Sequence, residues 1–323
     1  MRIVKKTVIS KFKSIIAASL VIPLILCGCG SASPLPYEPV LNSATTPRTA
    51  SFYAEKLCVP DGDVPRADLE FGEDICAGLF CVTTGETRYA KDVYEKINPA
   101  SLTKIMTALV AIENGDLTKT ITASANVNIQ EKGAQKLGIN EGDRMTLDQA
   151  LHIMLIYSAN DVAVMIAENI AGSVDRFAQL MNERAGSLGA TGCHFVNPHG
   201  LTDREHYVTA YDLYLIFNEA MSYKEFRDII DTPQYISSYR TADGTEVAID
   251  IRNTNAYLSG EMEIPEGVTV IGGKTGTTAA AGHCLIMLSS DSAGNEYVSL
   301  VMKEPETRTL YTDMTRILRL INE

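Results

Sequence analysis

The sequence predicts an α+β fold in which a mainly antiparallel sheet is flanked by helices and carries an inserted helical region. Strand-like apolar segments occur near residues 78–89 and again between Val268 and Met302, with a block of segments at helical spacing between them. Size agrees, because 323 residues that are 46% hydrophobic and 21% charged can bury a large core as one domain or two small ones.

The chain opens on five basic residues, Arg2, Lys5, Lys6, Lys11 and Lys13, with no acidic residue among them, followed by the apolar run Ile15 to Leu26. Residues 1–28 therefore read as a secretory signal, the run being short for a permanent span. Leu26-Cys27-Gly28-Cys29 resembles a lipobox, which makes Cys29 the candidate for acylation and for anchoring the mature chain in a membrane. The alternative is ordinary cleavage near Ala32, which would discard Cys29. Without the leader's cations, 23 basic side chains face 40 acidic ones, a balance that argues against nucleic acid as a partner. Residues 29–70, rich in Ser, Pro, Thr and Ala, read as a flexible tether, and residues 71–323 as the folded domain. Five cysteines remain (Cys58, Cys76, Cys81, Cys193, Cys284); they show no CxxC spacing and read as buried thiols with at most one or two bridges.

Gly78 to Val82 and Thr87 to Tyr89 form an expected hairpin around Thr83-Thr84-Gly85-Glu86. A helix follows, with Asn98 as N-cap, Pro99 at its first position, Leu102, Ile105, Met106, Leu109 and Ile112 on one face, and Gly115 as the stop. Further helices are expected at Leu147 to Tyr157, where Thr146 and Gln149 form a capping box, and at Asp161 to Ala171, Asp175 to Leu188 and Ala210 to Ala220. Strands are expected at Val268 to Ile271, His283 to Leu288 and Tyr297 to Met302, the last two joined by the turn 291–295, before a closing helix from Thr307 to Ile321.

Three short motifs could carry chemistry. Ser101 and Lys104 lie three residues apart, about 60° on a helix, so the amine can reach the hydroxyl. A serine needs a base to become a nucleophile, and a desolvated lysine can supply one. The spacing alone decides little, since Ser10-Lys11-Phe12-Lys13 in the leader repeats it. Ser158-Ala159-Asn160 lies in the break between two apolar helices, whereas its duplicate Ser124-Ala125-Asn126 follows a polar stretch with no helix leading into it. Gly273-Lys274-Thr275-Gly276-Thr277 ends an apolar strand and lacks the upstream glycine of a P-loop. On an extended segment Thr275 and Thr277 point the same way, and such an edge can pair with a peptide and hold its carboxylate.

In this order, S-x-x-K, S-x-N and K-T-G form the signature set of penicillin-binding proteins and class A β-lactamases. The longer stretches "PASLTKIMTALVAIE", "GDRMTLDQALHIMLIYSANDVAVMIAENIAGS", "NPHGLTD" and "GGKTGTTAAAGHCL" resemble the low-molecular-mass penicillin-binding proteins that are serine D-alanyl-D-alanine carboxypeptidases, from about Ala77 to Lys303. The resemblance implies a β-lactamase/transpeptidase-like fold and no cofactor or metal. It also implies that peptidoglycan stem peptides ending in D-Ala-D-Ala, and β-lactam antibiotics, acylate Ser101. It implies Lys104 as the base for acylation, Ser158 as proton relay to the leaving amine, and Asn160, Lys274, Thr275, Gly276 and Thr277 as the substrate-binding set. Lys274 would hold Ser158 and Lys104 in an electropositive network, the Thr275 and Thr277 hydroxyls would bind the terminal carboxylate, and the N–H groups of Ser101 and Thr277 would form the oxyanion hole. Many members add a β-rich domain and an amphipathic anchor, whereas about twenty residues follow Met302 here, and a lipid at Cys29 would supply the attachment. The stretch Glu55 to Asp74 has no counterpart.

Three other readings stay open. A β-lactamase would need a carboxylate for deacylation, usually in E-x-x-L-N, and no such stretch lies between Ser158 and Lys274. A zinc peptidase could draw on His194, His199, Asp203 and His206, although no zinc-binding spacing joins them. A catalytically weak wall-binding or spore-associated scaffold would keep the motifs without their geometry.

Overall fold

The structure, a computed structural model, describes residues 57–323. The expected leader, Cys29 and the tether as far as residue 56 lie outside the described residues. Residues 57–70 differ from the expected tether. Cys58 is fully buried and its N–H donates to the Tyr214 hydroxyl at 3.0 Å, Val64 pairs with Ala90, and Leu69 joins the core. Sparse anchors in a Pro- and Asp-containing stretch leave no period to read, yet together they lay it on the domain.

The main sheet holds β1 (Cys76–Cys81), β2 (Glu86–Lys91), β7 (Val268–Thr278), β8 (Gly282–Asp291) and β9 (Glu296–Glu304), all antiparallel, in the order β2-β1-β9-β8-β7. Between β2 and β7 come α1 (Thr103–Asn114), β3 (Thr120–Thr122), β4 (Arg144–Thr146), α2 (Leu147–Ile156), α3 (Asn160–Ala171), α4 (Val174–Ser187), α5 (Ala210–Ala220), α6 (Lys224–Ile230), β5 (Gln234–Arg240) and β6 (Glu246–Arg252). Strands β3 to β6 form a second, four-stranded sheet, and α7 (Thr307–Arg319) closes the chain. The α+β expectation, with helices inserted between sheet strands, is what the structure shows.

Period-2 alternation explains how both faces of the main sheet are covered. Leu285 and Met287 of β8 and Val301 of β9 pack under α7 with Leu310, Met314, Ile317 and Leu318. Cys284, Ile286 and Leu288, with Val298 and Leu300, face the helical region. Each fully buried aliphatic side chain contributes about 1.5–3 kcal/mol, so the α7 face alone is a substantial anchor for the strands that carry the K-T-G motif.

Helix α1 departs from the one-faced helix expected. Every residue from Thr103 to Ala111 is buried, because α2, α3, α4 and α5 surround it. Lys104 is thereby taken out of water altogether. The capping box of α2 is as expected, the Gln149 N–H donating to Thr146 Oγ1 at 3.1 Å and the Thr146 N–H to Gln149 Oε1 at 2.8 Å. Strand β7 runs through the whole K-T-G motif instead of stopping at Ile271; the Gly272-Gly273 pair interrupts the side-chain alternation and hides the continuation.

Candidate active site

Ser101 sits on a short 3₁₀ turn, Ala100–Leu102, that precedes α1. The expected start, Asn98 as N-cap and Pro99 as first helical residue, is replaced by a tighter arrangement. Asn98 Oδ1 accepts the Ala100 N–H at 3.1 Å, and Ala100 takes a left-handed φ of 47°, which interrupts a continuous helix. Such a conformation costs about 1–3 kcal/mol in a non-glycine residue and persists only where neighbours impose it. Here Thr103 Oγ1 donates to the Ala100 carbonyl at 2.8 Å and lies 2.9 Å from His206 Nε2. Gly200, with φ +85°, lies so close that a Cβ there would be 1.8 Å from the same carbonyl oxygen. Lys104 lies in the first turn of α1, one turn on from Ser101, and side chains three apart across that junction meet.

Lys104 Nζ lies 2.9 Å from Ser101 Oγ, 2.6 Å from Asn160 Oδ1 and 2.8 Å from the His199 carbonyl oxygen. Burial first, and then the positive charge of Lys274, push its pKa well below the ordinary lysine value, while Asp161 opposes them. The two other partners can only accept. A neutral amine has two N–H bonds for those acceptors and one lone pair left for the Ser101 hydroxyl. This arrangement can deprotonate the serine.

Ser158 lies between α2 and α3 with φ 66°, in the left-handed region, and is buried. Its Oγ accepts from Lys274 Nζ at 2.9 Å, and Lys274 also donates to the Thr275 carbonyl at 2.9 Å. Burial lowers the Lys274 pKa to about 7. Asn160, the first residue of α3, turns its Oδ1 to Lys104, so it helps to hold the lysine. The adjacent Asp161 carboxylate accepts the N–H groups of Leu137, Gly138 and Ile139, which pins the loop before α2 against the start of α3.

Strand β7 is the edge of the main sheet. A Cβ on Gly276 would lie 3.0 Å from the Ser101 nitrogen and 3.2 Å from that of Leu102, tighter than ordinary contact, so glycine suits a strand lying this close to the serine turn. Thr275 Oγ1 meets Thr254 Oγ1 at 2.5 Å, and Thr277 Oγ1 meets His283 Nδ1 at 3.2 Å. A cleft of about 630 Å³ opens here, lined among others by Ser101, Ser158, Asn160, Thr275 and Thr277. All eight candidate residues, from Ser101 to Thr277, thus converge on one cleft or on side chains that reach it, whereas Cys29 lies outside the described residues.

The family described as D-alanyl-D-alanine carboxypeptidase, peptidase S11, matches residues 77–306. The chain belongs to this family. Among its S11 relatives, D-alanyl-D-alanine carboxypeptidase DacF of Bacillus subtilis is 33% identical over 205 residues, 62% of this chain and 50% of that protein. D-alanyl-D-alanine carboxypeptidase DacD of Escherichia coli is 28% identical over 250 residues, 75% of this chain and 61% of that protein. The chain therefore spans half to about three fifths of the length of these two relatives. The solved Streptomyces K15 DD-transpeptidase superposes with a TM-score of 0.69 at 27% identity, over 76% of this chain and 95% of that one.

Several contacts of this S11 site have no signal in the motifs. The His199 carbonyl reaches Lys104 because Asn197 Oδ1 accepts the N–H groups of His199 and Gly200, and Thr107 Oγ1 donates to the Pro198 carbonyl at 2.6 Å. The string "NPHGL" was visible, but its use as a backbone acceptor was not. The histidines of the zinc reading have other partners. His199 Nδ1 accepts the Leu201 N–H, His206 Nδ1 accepts the Val196 N–H, and burial lowers their pKa values to about 3 and about 4. His194 Nδ1 lies 2.5 Å from the Glu205 carbonyl. Among the described residues no three potential metal ligands converge, and all five cysteines are free thiols.

Proposed function

We propose that this chain is a serine D-alanyl-D-alanine carboxypeptidase that removes the terminal D-Ala from peptidoglycan stem peptides through an acyl-enzyme on Ser101. β-Lactams acylate the same hydroxyl. The observation that carries the reading is the placement of Lys104: buried, 2.9 Å from Ser101 Oγ, with two acceptor-only partners occupying its hydrogens. Membership in the S11 family supports it independently.

In the reaction, Ser101 Oγ attacks the carbonyl carbon of the penultimate D-Ala while its proton passes to Lys104 Nζ. The N–H groups of Ser101 and Thr277 hold the oxygen that becomes negative, which the close approach at Gly276 favours. As the C–N bond breaks, Ser158 gives its proton to the leaving amine and is reprotonated within the lysine network through Lys274, 2.9 Å away. Water then cleaves the ester, returning the Ser101 hydroxyl and freeing the shortened peptide. The substrate lies extended along β7, its terminal carboxylate at the Thr275 and Thr277 hydroxyls.

Residues 1–28 export the chain, and Cys29 receives a lipid that anchors it at the outer face of the membrane; cleavage near Ala32 would release it to the wall instead. The basic, apolar and small-residue order of the leader supports this, as does a family whose members act on wall peptides. Among the described residues no helix is long and apolar enough to cross a membrane.

Chromatographic measurement of D-Ala released from a tripeptide ending in D-Ala-D-Ala tests the activity. Wild type should release one D-Ala per peptide, and Ser101→Ala should lower the rate by about 10³-fold or more. Undiminished release by Ser101→Ala would remove Ser101 from the mechanism.

A further inference from the structure

Among the described residues no cation donates to the hydroxyls assigned to the substrate carboxylate. Lys274, the cation of the K-T-G motif, spends its hydrogen bonds on Ser158 Oγ and the Thr275 carbonyl. Recognition of a carboxylate then depends on which way each hydroxyl points its hydrogen. For Thr277 that direction is set by His283. His283 stands opposite Thr277 across β7 and β8, and its Nδ1 lies 3.2 Å from Thr277 Oγ1 and 3.1 Å from Thr307 Oγ1 at the start of α7. All three side chains line the same cleft as Ser101.

A ring nitrogen offers either one proton or one lone pair. If Nδ1 accepts from Thr277, the hydroxyl hydrogen is drawn into the ring and its lone pairs meet the carboxylate. If Nδ1 carries the proton, it fills a lone pair of Thr277 Oγ1 and leaves the hydroxyl hydrogen for the substrate. Thr307 Oγ1, 3.1 Å away, can serve as a second acceptor beside that protonated nitrogen. We infer that His283 is a positioning residue that donates from Nδ1 to Thr277, so that the Thr277 hydroxyl selects substrates with a free terminal carboxylate. This rests on the carboxypeptidase reading above and adds a specificity determinant that the three motifs do not contain.

The test uses the full-length chain and two peptides, one ending in D-Ala-D-Ala with a free carboxylate and the same peptide as its C-terminal amide. His283→Leu should lower kcat/KM for the free acid about tenfold, the loss of one charge-assisted hydrogen bond, carried by a rise in KM while kcat stays within about twofold of wild type. The amide should react within about twofold of wild type, so the preference for acid over amide shrinks about tenfold. His283→Asn, whose amide can place an N–H near the Nδ1 position, should restore the preference to within about threefold. Equal losses on both peptides, or no loss on either, would overturn the inference while wild-type turnover kept the carboxypeptidase reading intact. Absence of turnover and of penicillin labelling in wild type would overturn both.

Discussion

The triplet Ser-Ala-Asn occurs twice, and the two copies fold into opposite uses. At Ser124 the backbone is extended with φ −90°, and the hydroxyl accepts the Asn126 N–H, a local cap. Both side chains then bind one carboxylate, Ser124 Oγ at 2.5 Å and Asn126 Nδ2 at 2.6 Å from Glu168. At Ser158 the backbone is left-handed, and the hydroxyl and amide turn inward to Lys274 and Lys104, which lie 116 and 56 residues away from their partners. Three identical letters become a surface cap or a buried partner of two lysines, the proton relay proposed above, according to what the rest of the chain brings to them. The strain at φ 66° is the mark of the second use, since a cap needs none.

The most damaging way to break the contrast is to remove the lysine that the second triplet serves. Lys104→Ala should slow penicillin acylation by about 10³–10⁴-fold, with the fold retained by circular dichroism, because the base is lost and a buried amine with it. Next, Ser158→Ala should slow acylation about 10²-fold, while Ser124→Ala should leave it within about twofold and lower stability by about 1 kcal/mol through the lost cap. Equal kinetic effects at the two serines would erase the distinction.

A smaller effect sharpens it through pH. The folded-state pKa of Lys274 is lowered to about 7, against the usual lysine value of 10.5. Below pH 7 both folded and unfolded chains hold that proton, and the burial penalty is fully present. Between about 7 and 10.5 the unfolded chain binds more protons, so stability contributed at this site rises with pH. The melting temperature of Lys274→Met should therefore exceed that of wild type at pH 6 and lose part of that advantage by pH 9. An advantage that widens with pH would contradict the buried, depressed lysine. Acylation should follow the same direction, declining on acidification as Lys104 takes up its proton.

Much of this site was legible because each motif is a short local string. Ser101 and Lys104 are one turn apart, Lys274 to Thr277 are consecutive, and "NPHGL" is a contiguous turn. What could not be read depends on distant packing. That Lys104 is sealed from water follows from four helices closing around α1, and no residue near Lys104 announces it. The left-handed conformation of Ala100 carries no glycine or asparagine as a signal. The β5–β6 hairpin carries a weak signal because β5 has no buried residue and leaves Ile236 73% exposed, with only Ile249 and Ile251 of β6 buried. The packing of residues 57–70 is hidden for a similar reason, the contacts at Cys58, Val64 and Leu69 being too sparse to form a period.

The central claim, that Ser101 is the nucleophile of this cleft, is met most directly by intact-mass spectrometry of the chain after brief exposure to benzylpenicillin, followed by peptide mapping. One adduct per chain on the peptide containing Ser101, absent in Ser101→Ala, is the result expected. An adduct that persists in Ser101→Ala, or that maps to another residue, would contradict it.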